Sequence, residues 1–297
     1  MPESNVLAKP TGLGRWFNRW RPSGPVGRDP LQNVRVEGRY APVSVANWKL
    51  IAPTRRAILA LRVAHPLTFA GDQRLTIVIP YRDRQAHLRE LLPELAAVLA
   101  AQNIAARVLV VEQPAGDLFN RGKLINVGMH YARGYTDYFC IHDVDAVPVV
   151  ADYRCPSQPL RLVHRILGPQ GAAQRAEHYF SGAVSVRTEQ AFAANGFSNE
   201  YRGWGKEDDD FFFRLLLAGC TCYYDTQGVY RDLPNPGHQQ VQRRSGKLPP
   251  HVVINRRRRS QFLRGLLDPA ADGLSTLQYE VLGCDVAQSH ELIRVRW

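Results

Sequence analysis

Between residues 75 and 145, short apolar runs alternate with two stretches that read as helices. Leu75-Thr-Ile-Val-Ile79 is a β-branched run of the kind buried inside a parallel sheet. Pro80 is expected to stop it, and Tyr81-Arg-Asp-Arg84 follows as a loop. Leu88, Leu91, Leu92, Leu95 and Val98 then recur at helical spacing. Arg107–Glu112 reads as the next buried strand, Leu124–Ala132 as a helix, and Tyr138–His142 as a third strand ending in Asp143-Val-Asp145. This β-loop-α-β order predicts an α/β fold with a parallel sheet and right-handed crossovers. Ligand sites in open sheets of this kind lie at the carboxyl ends of the strands. The Tyr81–Arg84 loop and the Asp143/Asp145 pair both fall there.

Further on, Tyr179–Val186 reads as a strand and Glu189–Asn195 as a short helix capped by Gly196. Gly203-Trp-Gly-Lys-Glu-Asp-Asp-Asp210 leads into a buried helix, Phe211–Ala218, closed by Gly219. Residues 231–260 are polar and arginine-rich, and read as a mobile loop. Leu277–Val281 and Leu292–Arg296 read as final strands. Residues 1–70 carry Pro, Arg and Trp with little period, apart from Ala57–Val63, a strand or short helix. Gly14–Arg21 interleaves aromatics with arginines, which suits either an arm packed on the main domain or a short helix on anionic lipid. The expected organisation is an extension over 1–70, packed on or near a catalytic domain over 71–297.

Composition narrows the class. With 45% hydrophobic and 22% charged residues in 297, the chain is an ordinary globular protein rather than a disordered or fibrous one. No run approaches the roughly 18 apolar residues of a membrane span, and the start lacks a signal-peptide core. A cytoplasmic location is therefore expected. The five cysteines are too few and odd for a disulfide framework, and Cys220-Thr-Cys222 reads as core. The net charge of +11 attracts anions: nucleotide-sugars, anionic glycans, acidic lipid or nucleic acid.

The candidate chemistry is acidic. Asp143 and Asp145, two residues apart at a strand end, point the same way and can hold Mg²⁺ or Mn²⁺ through oxygen. Glu207-Asp-Asp-Asp210 is a run of acids at a helix start, where repulsion raises some pKa values and the helix dipole offsets part of the cost. A partly dry carboxylate there suits a general base for a hydroxyl. Arg82, Arg84, Arg121 and Lys123 can meet phosphate or uracil oxygens, and Tyr81 or Phe119 can stack on a base. Asp232 and His238 are candidates to complete a metal shell. Arg256–Arg259 is a solvated charge run by default, or a contact for an anionic acceptor or membrane.

These pieces occur together in a known order. Val78-Ile-Pro-Tyr-Arg-Asp-Arg-Gln85, Phe119-Asn-Arg-Gly-Lys123, His142-Asp-Val-Asp145, Tyr179-Phe-Ser-Gly182, Gly203-Trp-Gly-Lys-Glu-Asp-Asp209 and Asp272-Gly-Leu-Ser-Thr-Leu-Gln-Tyr279 resemble the β-1,4-galactosyltransferase family of inverting glycosyltransferases, glycosyltransferase family 7. The resemblance implies a GT-A nucleotide-diphospho-sugar transferase fold, a mixed, mostly parallel sheet flanked by helices, with Mn²⁺ (or Mg²⁺) and a UDP-sugar donor. It implies donor contacts at Pro80, Tyr81, Arg82, Arg84, Phe119, Arg121, Lys123, Asp143, Val144, Tyr179, Gly182 and Trp204. Trp204, Glu207, Asp208 and Asp209 match acceptor-binding positions, with Asp208 at the catalytic base. Asp145 matches a metal ligand; Asp232 stands where the family carries Met or His, and His238 is the nearest histidine after it. Tyr179 matches the position that favours galactose.

Two departures accompany the match. Ser181 replaces the first glycine of the family's Tyr-Phe-Gly-Gly stretch, and Cys155 matches a family cysteine whose disulfide partner's place is taken by Tyr138, leaving Cys140 nearby. The expected activity is transfer of galactose from UDP-galactose to a glycan hydroxyl, in surface polysaccharide synthesis, with no nucleic-acid partner. Peripheral contact with an anionic membrane stays open. So do UDP-GalNAc or UDP-glucuronic acid as donor, and a non-catalytic binder of anionic glycan or nucleic acid.

Overall fold

The computed structural model describes residues 38–45, 65–168, 171–174, 180–234 and 248–297. Its strands, in chain order, are β1 (Tyr40–Pro42), β2 (Phe69–Ala70), β3 (Leu75–Tyr81), β4 (Ala106–Glu112), β5 (Tyr138–His142), β6 (Ala146–Val150), β7 (Cys155–Pro156), β8 (Leu160–Arg161), β9 (Arg165–Gly168), β10 (Gly171–Gln174), β11 (Ala183–Arg187), β12 (Tyr223–Asp225), β13 (Val229–Asp232), β14 (Glu280–Val286) and β15 (Glu291–Arg296). The helices used below are α1 (Gln85–Ala101), α2 (Arg121–Ala132), α3 (Thr188–Ala193), α4 (Glu207–Leu217) and α5 (Pro250–Leu263).

The main sheet runs β1-β12-β8-β11-β5-β3-β4-β15-β14. Its centre is parallel: β3 lies between β5 and β4, and β15 pairs with β4. The flanks bring in antiparallel pairs, β11 against β5 and β8, β1 against β12, and β14 against β15. The central strands are apolar on both faces because both faces are covered. Ile77 and Ile79 pack with Leu88, Leu91, Leu95 and Leu99 of α1. Val78 points the other way, into a core with Leu124 and Val127 of α2 and Phe211, Phe212 and Phe213 of α4. Each such fully buried leucine contributes roughly 1.5–3 kcal/mol.

A second sheet, β10-β9-β13-β6, had no counterpart in the sequence reading. Pro80 does not end β3, which continues to Tyr81 beside β4. β5 pairs only as far as Val78, so Pro80 lies past the last ladder bond on that side and its missing N–H breaks nothing there.

Residues 250–260, read as part of a loop, belong to helix α5, which runs from Pro250 to Leu263. Pro250 at its first turn suits a helix start, and the arginines have good helix propensity. Its buried stripe is Val252, Asn255, Phe262 and Leu263, a helical spacing carried partly by a polar residue. The arginine run therefore sits on a helix, with Arg258 paired to Asp272.

Within the predicted extension, β1 is an edge strand of the main sheet, Ala41 and Val43 are fully buried, and β2 pairs with β7. Gly14–Arg21 and Ala57–Val63 lie outside the described residues. Cys140 and Cys155 are both free and buried, and Cys220 and Cys222 sit in the core. Among the described residues no helix is long and apolar enough to cross a membrane.

Candidate active site

After β5 the chain turns sharply. The Ala146 N–H donates to the Asp143 carbonyl at 3.2 Å, and β6 departs into the second sheet. Asp143-Val-Asp145 thus occupies a corner between two sheets, not an extended strand end. The expected same-face geometry of residues i and i+2 does not apply; the turn itself brings the charges near each other. Burial is the largest influence on Asp143 and, with the Asp145 charge, pushes its carboxyl up to about 6 against the pull of Arg121. Val144 is buried. The Asp143 N–H donates to the Gly182 carbonyl at 2.8 Å. Gly182 has φ +90°, and a Cβ there would meet Val163 Cγ2 at 2.9 Å, so only glycine fits comfortably.

Arg121 opens α2. Asn120 caps the helix, its Oδ1 accepting the Lys123 N–H at 2.9 Å. The Arg121 guanidinium meets Asp143 Oδ1 at 2.7–2.8 Å on one side. On the other it meets Asp208 Oδ1 at 2.5 Å and Glu207 Oε1 at 3.6 Å. One cation thus joins the Asp turn to the start of α4. Burial opposes its charge, but Asp143, Asp208 and Glu207 together raise its pKa well above the ordinary value.

The loop before α4 is bent by positive φ at Gly203 (69°), Gly205 (97°) and Lys206 (85°). A non-glycine residue held there costs on the order of 1–3 kcal/mol, strain of the sort found at ligand sites. His251 of α5 fills the space over Gly203, where a Cβ would lie 2.5 Å from its ring. Asn255 donates to the carbonyls of Arg202 and Trp204 at 3.0 and 3.3 Å. Trp204, so supported, is 39% exposed.

The four acids separate by partner. Glu207 and Asp208 face Arg121, while Asp209 lies between Lys206 (3.0 Å) and Arg259 (2.9 Å). Asp210 is buried against Arg214 and the Tyr201 hydroxyl, a packing role.

Glu207 is itself buried, and its Oε2 has no hydrogen-bond partner among the described residues. Burial first, and Asp208 second, push its carboxyl up to about 8. A folded pKa above the unfolded value means the folded state holds the extra proton, so stability falls as pH rises from the unfolded pKa near 4.5 to about 8. Glu207→Gln is expected to flatten that fall and to melt above the wild type at pH 8. Melting curves from pH 5 to 8 that stay parallel in the two proteins would refute the assignment.

Other sequence-predicted residues lie on the end of β3, before α1 and around the start of α2. Tyr81 is buried at the end of β3, its carbonyl accepting the Gln113 N–H at 3.0 Å. Arg82 donates to the Asp117 carbonyl at 2.7 Å and lies over the Phe119 ring at 5.1 Å. The Phe119 carbonyl accepts the Gly203 N–H at 2.8 Å, linking the Phe119 segment to the Trp204 loop. Arg84 precedes α1. The Lys123 ammonium lies over Trp297 at 4.6 Å, with Arg202, Glu200 and Asp272 as its charged neighbours rather than the acids around Arg121. Tyr179 and His238 lie outside the described residues. Sequence reasoning missed His251 and Asn255, whose signal was the helical spacing hidden in the arginine-rich stretch; Arg259, read as a solvated charge or an acceptor or membrane contact, instead pairs with Asp209.

β13 brings Asp232 opposite Ala146, and the Leu233 N–H donates to the Asp145 carbonyl at 2.8 Å. Asp145 and Asp232 therefore sit on adjoining segments. Two carboxylates are the donor type a hard divalent cation takes. Among the described residues no three His, Cys, Asp or Glu side chains gather into a metal shell.

Two family models match this chain: the N-terminal region of glycosyl transferase group 7 over residues 43–156, and the N-terminal domain of galactosyltransferase over residues 161–238. Human β-1,4-galactosyltransferase 1 is 36% identical over 193 residues, 64% of this chain and 42% of that protein. Drosophila melanogaster β-1,4-galactosyltransferase 7 is 36% identical over 154 residues, 50% of this chain and 47% of that protein. The chain thus spans under half the length of these curated relatives. Among solved structures, the catalytic domain of the Drosophila β-1,4-galactosyltransferase 7 in complex with xylobiose matches with a TM-score of 0.60 and 27% identity, over 75% of this chain and 93% of that one. A point mutant of the same Drosophila enzyme, in complex with manganese, UDP-Gal and xylobiose, matches with a TM-score of 0.62 at the same identity and coverage. On its sequence and on its GT-A type architecture, this chain belongs to the β-1,4-galactosyltransferase family of glycosyl transferase group 7.

Proposed function

We propose that the chain is a metal-dependent inverting glycosyltransferase that moves galactose from UDP-galactose to a hydroxyl of a carbohydrate acceptor. The observation that carries the reading is the guanidinium of Arg121, which draws the Asp turn and the acidic start of α4 to one centre. The Drosophila relative in complex with manganese, UDP-Gal and xylobiose supports the choice of donor, metal and acceptor class.

In this reading Asp208 accepts the proton of the acceptor hydroxyl. The oxygen forms a bond to the sugar's C1 on the face opposite UDP, the C1–O bond to UDP breaks, and the configuration at C1 inverts. Glu207, Asp209 and Trp204 bind the acceptor. Pro80, Tyr81, Arg82, Arg84 and Phe119 hold the nucleotide, with Asp143, Val144 and Gly182 near the sugar and Tyr179 favouring galactose. Arg121 orients Asp143 and Asp208. A divalent cation held by Asp145 and Asp232, with His238, would neutralise the diphosphate leaving group. A place in surface polysaccharide synthesis belongs to the same proposal, as does a cytoplasmic location with peripheral contact to anionic lipid, which rests on the +11 charge.

The test is UDP release by purified protein with UDP-galactose, UDP-GalNAc and UDP-glucuronic acid, each with Mn²⁺ and with chelator, over a panel of glycan acceptors. Release with UDP-galactose and Mn²⁺ that chelator abolishes is expected. Release from no donor, with salt-dependent binding of polyanions, would instead identify a binding protein.

A further inference from the structure

Beneath the Asp turn lies a buried polar string that the proposed chemistry leaves unused. Its members are His142, Tyr153 and Tyr230, each fully buried. His142 Nδ1 is 2.9 Å from the Asp143 carbonyl oxygen. A carbonyl only accepts, so Nδ1 carries the proton. A neutral imidazole carries one ring proton, so Nε2 is left as an acceptor and takes the Tyr153 hydroxyl proton at 3.0 Å. The Tyr153 oxygen, its own proton committed, accepts from the Tyr230 hydroxyl at 3.2 Å. One backbone carbonyl thus sets the direction of the whole string.

Both ends matter. At one end, the Asp143 carbonyl is also the acceptor that closes the turn onto Ala146. At the other, Tyr230 lies in β13, two residues before Asp232. Tyr153 is anchored separately: its N–H donates to Gln102 Oε1 at 2.9 Å, and its carbonyl accepts the Tyr138 hydroxyl at 2.8 Å. The string therefore spans from the segment bearing Asp145 to the one bearing Asp232.

We propose that Tyr230, Tyr153 and His142 form a positioning relay that fixes the Asp143–Asp145 turn against β13 and so sets the affinity of the site for a divalent cation. The inference rests on the reading of Asp145 and Asp232 as metal-holding residues. Packing alone does not need the string, since phenylalanine has nearly the tyrosine volume. The hydroxyls are needed to hold one imidazole tautomer and, through it, one shape of the turn. Partners behind metal-holding residues commonly act in this way.

Calorimetric titration of Mn²⁺ into the full chain tests the relay, beside thermal unfolding without metal. Tyr153→Phe strands His142 Nε2 and is expected to weaken Mn²⁺ binding about tenfold or more. Tyr230→Phe leaves the Tyr153–His142 bond in place and should weaken it about threefold, the worth of one weak neutral hydrogen bond. A merely structural role would lower the melting temperature and leave Mn²⁺ affinity unmoved. A folded Tyr153→Phe protein with wild-type Mn²⁺ affinity overturns the relay alone. If that variant does not fold, Tyr230→Phe decides: a weaker site supports the relay and an unchanged one overturns it. A wild-type chain that binds no Mn²⁺ overturns the metal-site reading, and the relay with it.

Discussion

Asp208→Asn is expected to cut the rate of sugar transfer about 10²–10⁴-fold, the usual worth of a positioned general base, while UDP binding changes little. The amide has the carboxylate's shape, so the helix start and its packing survive the exchange. It cannot take a proton from a hydroxyl at neutral pH. It also keeps an oxygen able to accept from Arg121 Nη1, now 2.5 Å from Asp208 Oδ1, so the Asp turn retains its anchor. The loss should therefore fall on kcat, with KM for the donor within a few-fold of wild type, as when an interaction made only in the transition state is removed. Steady-state transfer assays with a UDP titration by calorimetry separate the two quantities. Transfer at near the wild-type rate would assign the base elsewhere. Unchanged kcat with a raised KM would make Asp208 a binding residue.

Much of this centre was legible in the sequence, and the gaps have physical causes. The strands β3, β4 and β5 announce themselves because a sheet covered on both faces needs unbroken apolar runs. The Asp pair and the acidic run are equally plain, since four adjacent acids repel one another and packing accounts only for Asp210. Pro80 misled because a missing N–H matters only where a neighbouring strand would have used it, and β5 stops short. Helix α5 was hidden because its inward stripe includes Asn255, held by carbonyls of the Trp204 loop, and the run Arg256–Arg259 fills its middle. The second sheet could not be read at all. Its strands are short and partly exposed, and they pair across long separations, as β13 does with β9 and β6. The role of Arg121 was invisible for a related reason. Its partners lie on β5's turn and on α4, and pairing at such distance is set by topology rather than by local pattern.

Arg121→Met is expected to produce the largest loss of stability of any single change in the site. The substitution keeps most of the length and apolar stem of the side chain and removes the charge. Asp143, Glu207 and Asp208 are then left near one another without the cation that separates them, two of them already pushed upward by burial. Removing one partner of a buried ion pair typically costs about 3–5 kcal/mol. The pH dependence gives the cause away. Without Arg121 the folded-state pKa values of Asp143 and Glu207 rise further above their unfolded values, so the folded state binds more protons. Stability then falls as pH rises through the interval between the two. Denaturant unfolding should show a large deficit at pH 8 that shrinks toward pH 5, where Asp143 and Glu207 are neutral. Arg121→Lys keeps the charge but not the fork that reaches Asp143 and Asp208 together, so it should fall between the two. A deficit equal at pH 5 and pH 8 would mean that the arginine acts by packing its stem. The shared-cation account of how the Asp turn and α4 are held at one centre would then fail, even if the enzyme still turned over.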